Sequence, residues 1–207
     1  MEPSAALKKD NGPGERFLRE IIEFQGVIGG IMSVIHPEQH FEGRKAFLSR
    51  LHSKAKGTAD EACFERLMKV WGTGFTGLSV ISERETPLHR DGQNADWMYD
   101  VLVNIATDVD PDIRAELPGI GIRFRYNSGT VLSILGKAVR HGVSKTNIDR
   151  YCLAFFMRQR VSEHLGFPHE VMMSEKLFKK WVFLDEPERV KVMLRIQKGG
   201  LLLPIEF

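Results

Sequence analysis

From Phe17 to Ile35 apolar residues recur at intervals of three and four, at Phe17, Leu18, Ile21, Phe24, Ile28, Ile31, Met32 and Ile35. That period is the stripe of a helix buried along one face, and Pro37 sets its end. Gly29 and Gly30 lie inside the stripe at a cost of about 1 kcal/mol each relative to alanine, so the pair marks a close contact or a break. Residues 1–14 are polar and close with Lys8-Lys9-Asp10-Asn11-Gly12-Pro13-Gly14, the pattern of a mobile tail. Two further helices are predicted over 41–51 and 60–71, separated by a turn at Lys54-Ala55-Lys56-Gly57, with Asp60 as the N-cap of the second.

Gly72-Thr73-Gly74 ends the helical period, and an alternating, β-rich pattern takes over from Phe75 to Glu83. Strands are predicted at 97–105, 119–126 and 130–135. Residues 111–118 read as a connecting loop, and Asn127-Ser128-Gly129 as the turn of a hairpin that returns the fourth strand against the third. From Arg150 to Arg160 the chain is strand-like again. Tyr151, Leu153, Phe155 and Met157 share one face, and Cys152, Ala154 and Phe156 the other, so this strand belongs inside a two-sheet structure. Two more helices are predicted at 174–183 and 188–198, the latter stopped by Gly199-Gly200.

Helices followed by short antiparallel strands give an α+β class. A double-stranded β-helix, or jelly-roll, core is expected over 72–160, with packing helices on its N-terminal side (15–71) and its C-terminal side (161–207). The competing architecture is an α+β sandwich without a mouth. At 207 residues the chain suits one domain, 15–207, behind the tail.

Apolar residues at 43% and charged residues at 27% are ordinary for a globular protein and argue against extended disorder or a fibrous repeat. A net charge of +2 limits any nucleic-acid contact to a local patch. Cys63 and Cys152 stand far apart, which suggests neither a disulfide framework nor a thiolate zinc site and fits a reducing cytosolic or nuclear compartment. The apolar run 26–35 is about half of what a bilayer span needs, so neither a membrane anchor nor a signal peptide is read.

The chemistry concentrates in Thr86-Pro87-Leu88-His89-Arg90-Asp91-Gly92, between two predicted strands. An imidazole and a carboxylate two residues apart in extended chain point the same way, and His141 from a later strand would complete a three-point face on a metal. Two histidines and one carboxylate on one face of an octahedron leave the other positions for a co-substrate and dioxygen, as a non-haem Fe(II) oxygenase requires. Arg150 opens the last strand. Its planar fork is suited to the far carboxylate of 2-oxoglutarate through two parallel hydrogen bonds. Taken singly, a His-x-Asp, a histidine before glycine and a strand-end arginine are all common; their order along one chain is not.

Three segments carry a resemblance: Pro87-Leu88-His89-Arg90-Asp91-Gly92, Gly136-Lys137-Ala138-Val139-Arg140-His141-Gly142-Val143, and Asp149-Arg150-Tyr151-Cys152-Leu153-Ala154-Phe155-Phe156. On these the chain resembles the 2-oxoglutarate and Fe(II)-dependent dioxygenases and, within them, the TET/JBP family of nucleic-acid base oxidases, over roughly residues 72–160. The resemblance implies iron ligation by His89, Asp91 and His141, 2-oxoglutarate binding by Arg150, and oxidation of the methyl group of 5-methylcytosine or thymine in DNA. Family members place Asn or Asp three residues after the ligand aspartate to contact a flipped base, where this chain has Asn94. They place His eight residues after the co-substrate arginine, where this chain has Arg158. The cysteine-rich segment of animal TET proteins is missing, which brings the chain closer to the compact fungal or protist kind.

The resemblance thus implies a nuclear, monomeric enzyme that acts on DNA with a methylated base and consumes dioxygen. Lys176, Lys179, Lys180, Lys191, Arg195 and Lys198 could supply phosphate contacts, although such residues are more often a solvated helix face. Asn94 and Arg158 together offer an acceptor and a donor that suit both 5-methylcytosine and N6-methyladenine, so the pair does not choose between them. Two other readings compete. One is an oxygenase of the same fold acting on a protein side chain or a small molecule; the other is a non-catalytic β-barrel module that binds nucleic acid.

Overall fold

The computed structural model describes residues 4–52, 60–82 and 85–166, together with Pro187. The helices predicted at 174–183 and 188–198, the basic residues near the C-terminus and the turn at 54–57 lie outside the described residues. The chain divides into two compact units, a helical one through Thr76 and a β unit from Gly77 through Glu163. Among the described residues no helix is long and apolar enough to cross a membrane.

The helical unit runs α1 (Ala5–Lys8), α2 (Pro13–Glu20), α3 (Ile22–Ile35), α4 (Pro37–His52) and α5 (Glu61–Met68). The segment expected as a tail carries the helical turn α1 and the start of α2. Glu15 holds this region to α5: it is 1% exposed and accepts from Arg66 Nε at 2.8 Å and Arg19 Nη2 at 2.9 Å. A buried carboxylate is tolerated only with such charge-assisted partners.

The single helix predicted from the apolar stripe is broken at Ile21 (φ −95°, ψ 12°), not at the glycine pair. Buried Gln25 stabilises the bend. Its Nε2 donates to the Leu18 carbonyl at 3.0 Å and the Val70 carbonyl at 3.1 Å, while its Oε1 accepts from the Gly72 N–H at 2.9 Å. Neither glycine is required by packing: a Cβ at Gly29 would lie 3.4 Å from His40 Cε1, an ordinary van der Waals contact, and at Gly30 the space is open. Asp60 caps α5 as expected, accepting from the Cys63 N–H at 2.8 Å.

The β unit contains β1 (Gly77–Ser82), β2 (Thr86–His89), β3 (Asp100–Ala106), β4 (Arg114–Leu117), β5 (Ile122–Arg125), β6 (Val131–Ile134), β7 (His141–Val143) and β8 (Arg150–Phe156), followed by α6 (Gln159–Leu165). They form two four-stranded sheets, β1-β8-β3-β6 and β2-β7-β4-β5, with every pairing antiparallel. Among the described residues the strands do not close into a barrel. β8 lies between β1 and β3, and Cys152, Leu153, Ala154 and Phe155 are buried, as an inner strand apolar on both faces requires.

Two sequence expectations fail here for topological reasons. The predicted loop at 111–118 contains β4, whose Ala115 and Leu117 turn inward while Arg114 and Glu116 stay half-buried. A four-residue strand without a β-branched side chain gives too weak a signal to be read. The predicted hairpin is not one: β5 pairs with β4, and β6 pairs with β3 in the other sheet. The turn at 127–129 therefore carries the chain from one sheet to the other. Gly129, at φ +84°, adopts a backbone that favours glycine, and its N–H donates to Asn104 on β3 at 2.8 Å.

Candidate metal centre and adjoining pocket

Strand pairing explains how residues far apart in sequence meet. In the antiparallel β2·β7 pair, His89 lies directly opposite His141, and facing positions in such a pair bring side chains together. The rings stand 4.4 Å apart between centroids. Each imidazole is held by a carbonyl two residues before it in the chain: His89 Nδ1–H donates to Pro87 at 2.8 Å, and His141 Nδ1–H donates to Val139 at 3.0 Å. That tautomer leaves both Nε2 lone pairs free to ligate.

Both Nε2 atoms face Asp91. His89 Nε2 lies 3.6 Å from one carboxylate oxygen and His141 Nε2 lies 3.6 Å from the other. The three ligand atoms fall within 4.8 Å of one another, a group able to hold a metal ion. Asp91 is fixed through its backbone, whose N–H donates to the Gly136 carbonyl at 3.0 Å. Burial holds His141 below the usual imidazole range, partly offset by the Val139 carbonyl and the Asp91 charge. This keeps it in the neutral form that binds metal.

Arg150 opens β8 in one sheet and reaches across to the other. It is 2% exposed, donating from Nη2 to Thr86 Oγ1 at 2.5 Å and from Nη1 to Asn104 Oδ1 at 3.4 Å, while Nε has no partner. Among the described residues no carboxylate neutralises this guanidinium. A buried cation with only neutral partners is costly. An anionic ligand with two oxygens is the group such a site fits, and the distal carboxylate of 2-oxoglutarate is one.

Beside Asp91 lies a cavity of about 210 Å³ lined by Ser79, Asn94, Asp100, Leu102, Phe156 and Arg158 among others. The structure thus brings the two sequence candidates, Asn94 and Arg158, together: they form an isolated antiparallel bridge between loop and strand end. Arg158 stacks at 4.7 Å on the Phe156 ring and donates to Gln93 Oε1 at 2.7 Å, which fixes its direction.

Sequence reasoning missed two residues of this site. Asp100, at the start of β3, is 2% exposed and accepts from Asn94 Nδ2 at 2.9 Å. Burial pushes its carboxyl up to about 7, against the Asn94 hydrogen bond and with a further upward push from the Asp91 charge. Gly136 is the second. A Cβ there would lie 2.2 Å from Asp100 Oδ2 and 2.6 Å from Asp91 Oδ2, so only glycine leaves both carboxylates in place. The glycine ahead of the second histidine was a visible signal for this approach; nothing in sequence distinguished Asp100 from an ordinary strand-end acid.

The family model for Tet_JBP, described as the oxygenase domain of the 2OGFeDO superfamily, matches residues 4–159. The chain belongs to the Tet_JBP family. No curated protein matches it. Members of the superfamily use Fe(II) and 2-oxoglutarate, and this Tet_JBP chain is a 2-oxoglutarate-dependent dioxygenase with a His-Asp-His group able to bind iron. The donor set fits the metal, and the unneutralised Arg150 fits the co-substrate.

Proposed function

We propose that this Tet_JBP dioxygenase oxidises the methyl group of a methylated base in DNA, foremost 5-methylcytosine to 5-hydroxymethylcytosine and onward. The reading is carried by the cavity beside Asp91, where Asn94 and Arg158 place a side-chain amide and a guanidinium next to the metal-binding face. His89, Asp91 and His141 are the iron ligands. Arg150 holds the distal carboxylate of 2-oxoglutarate. In this reading the two sheets are the halves of a jelly roll open at the metal-bearing end.

Held by His89, Asp91 and His141, iron would with dioxygen and 2-oxoglutarate supply an oxidant for hydroxylating a methyl C–H bond, with succinate and carbon dioxide as co-products. The chain's own part is to bring the methyl to that point. A base inside a duplex cannot reach it, so the base is extruded at a cost of a few kcal/mol and enters the cavity. Asn94 and Arg158 meet its Watson–Crick edge, and Phe156 supports Arg158 from behind. DNA binding, a role in DNA demethylation and action in the nucleus belong to the same reading.

The test is succinate release with Fe(II), 2-oxoglutarate and a substrate panel of DNA carrying 5-methylcytosine, N6-methyladenine or neither, plus methylated RNA and lysine-methylated peptide. The reading expects the largest stimulation from 5-methylcytosine DNA. Stimulation by peptide alone, or by none of the panel, overturns it.

A further inference from the structure

Asn94 is 5% exposed and Asp100 is 2% exposed, and both line the cavity beside the metal-binding face. Their contact has a direction. Three donors converge on the Asp100 carboxyl: the Asn94 amide from Nδ2 at 2.9 Å and the backbone amides of Met157 and Gly136. Asp100 Oδ1 has no partner, so these donors meet at Oδ2; a proton carried by the group sits on Oδ1, and Oδ2 accepts from the NH2 end of the Asn94 amide in either form. The amide oxygen is then turned away from Asp100, and among the described residues no donor reaches it. The site presents a fixed acceptor to the cavity.

We infer that Asp100 is a positioning residue that sets base choice: by fixing the Asn94 amide, it selects a pyrimidine with an amino group at ring position 4 over one with a carbonyl there. The inference rests on the nucleobase reading above. With the C5 methyl directed at the metal, position 4 is the neighbouring ring atom, and Asn94 follows the metal-facing Asp91 by three residues, with its N–H donating to the Asp91 carbonyl at 3.1 Å. Cytosine offers its amino donor at position 4 and an acceptor at position 3; thymine offers an acceptor and a donor in those places. A locked Asn94 oxygen, with Arg158 as the donor beside it, matches the first order and repels the second. An amide free to flip would accept either base.

The experiment uses the full chain, anaerobic with Fe(II) and 2-oxoglutarate for binding and aerobic for turnover. Three oligonucleotides differ at one base: 5-methylcytosine (amino at position 4), 5-methylpyrimidin-2-one (hydrogen there, with the same acceptor at position 3) and thymine (oxo at position 4, with a proton on position 3). For the wild-type protein the affinity order expected is amino, then hydrogen, then oxo, because a fixed acceptor repels the thymine carbonyl and does not merely lack a partner. Thymine bound as well as the hydrogen analogue overturns the inference, with no variant needed. Asp100→Asn should lower the 5-methylcytosine-to-thymine ratio of kcat/KM by about tenfold or more. The same change made in an Asn94→Ala background should leave the ratio where Asn94→Ala alone puts it. An unaltered ratio in Asp100→Asn, or an equal shift in both backgrounds, overturns the role assigned to Asp100. Wild-type protein that binds and oxidises 5-methylcytosine DNA while failing the position-4 order refutes the inference alone; wild-type protein that oxidises neither base refutes the reading beneath it and the inference together.

Discussion

Arg150→Lys keeps the buried charge and removes the fork. In the structure the guanidinium spends one nitrogen on Thr86 and one, at 3.4 Å, on Asn104, and Nε has no partner. A two-oxygen anion would complete it, and a charge-assisted contact of that kind contributes about 1.5 to 3 kcal/mol. Lysine, a point donor on a flexible stem, forfeits most of this, so the Kd for 2-oxoglutarate should weaken roughly 10- to 150-fold. Thermal unfolding with Mn(II) in place of iron reads the effect without turnover. At 2-oxoglutarate one hundred times the wild-type Kd, binding stabilises the wild-type fold by about 2.7 kcal/mol, or about 5 to 11 °C in Tm for a chain of this size. The same concentration should stabilise Arg150→Lys by only about 0.3 to 1.4 kcal/mol, at most about half the wild-type shift. Equal shifts in the two proteins would mean that Arg150 does not hold the co-substrate, and its missing counter-charge would then need another explanation.

Three further outcomes follow from the geometry. Asp91→Ala should remove both the central carboxylate and metal binding, so that titration with Mn(II) by electron paramagnetic resonance shows no bound ion; retained binding at wild-type affinity would refute the triad. Gly136→Ala forces a methyl against Asp91 and Asp100 and should destabilise by about 1 to 3 kcal/mol in chemical denaturation, with weakened metal affinity, because Asp91 belongs to the group able to hold a metal ion. Asp100 holds its proton to about pH 7 when folded and to only about pH 4 when unfolded. Its stabilising contribution is therefore full below about pH 4 and is lost as pH rises through about 7, and Asp100→Asn should flatten that part of the metal-free stability profile.

The chemistry was more legible in the sequence than the topology. His89, Asp91, His141 and Arg150 stand out because their residue types have few common uses in that order, and the structure brings the first three within reach of one ion. The features that escaped depend on distant partners. β4 is strand only because β5 and β7 flank it, and the turn at 127–129 looks like a hairpin until Thr130 is seen to lead into a strand beside β3. The helix break at Ile21 is stabilised by Gln25, which answers carbonyls 7 and 45 residues away. Asp100 escaped for the same reason: its importance lies in what Gly136, Met157 and Asn94 aim at it, and no local pattern records that.

Mass spectrometry of nucleosides decides whether the chain oxidises a methylated DNA base. Oligonucleotides carrying 5-methylcytosine or N6-methyladenine are incubated with the full chain, Fe(II), 2-oxoglutarate and dioxygen, digested and quantified, with Asp91→Ala as the control. The expected product from the first substrate is 5-hydroxymethyl-2′-deoxycytidine, formed in step with succinate and absent from the control. Unchanged 5-methylcytosine in a preparation that binds iron and 2-oxoglutarate and turns over another methylated substrate would contradict the proposed function.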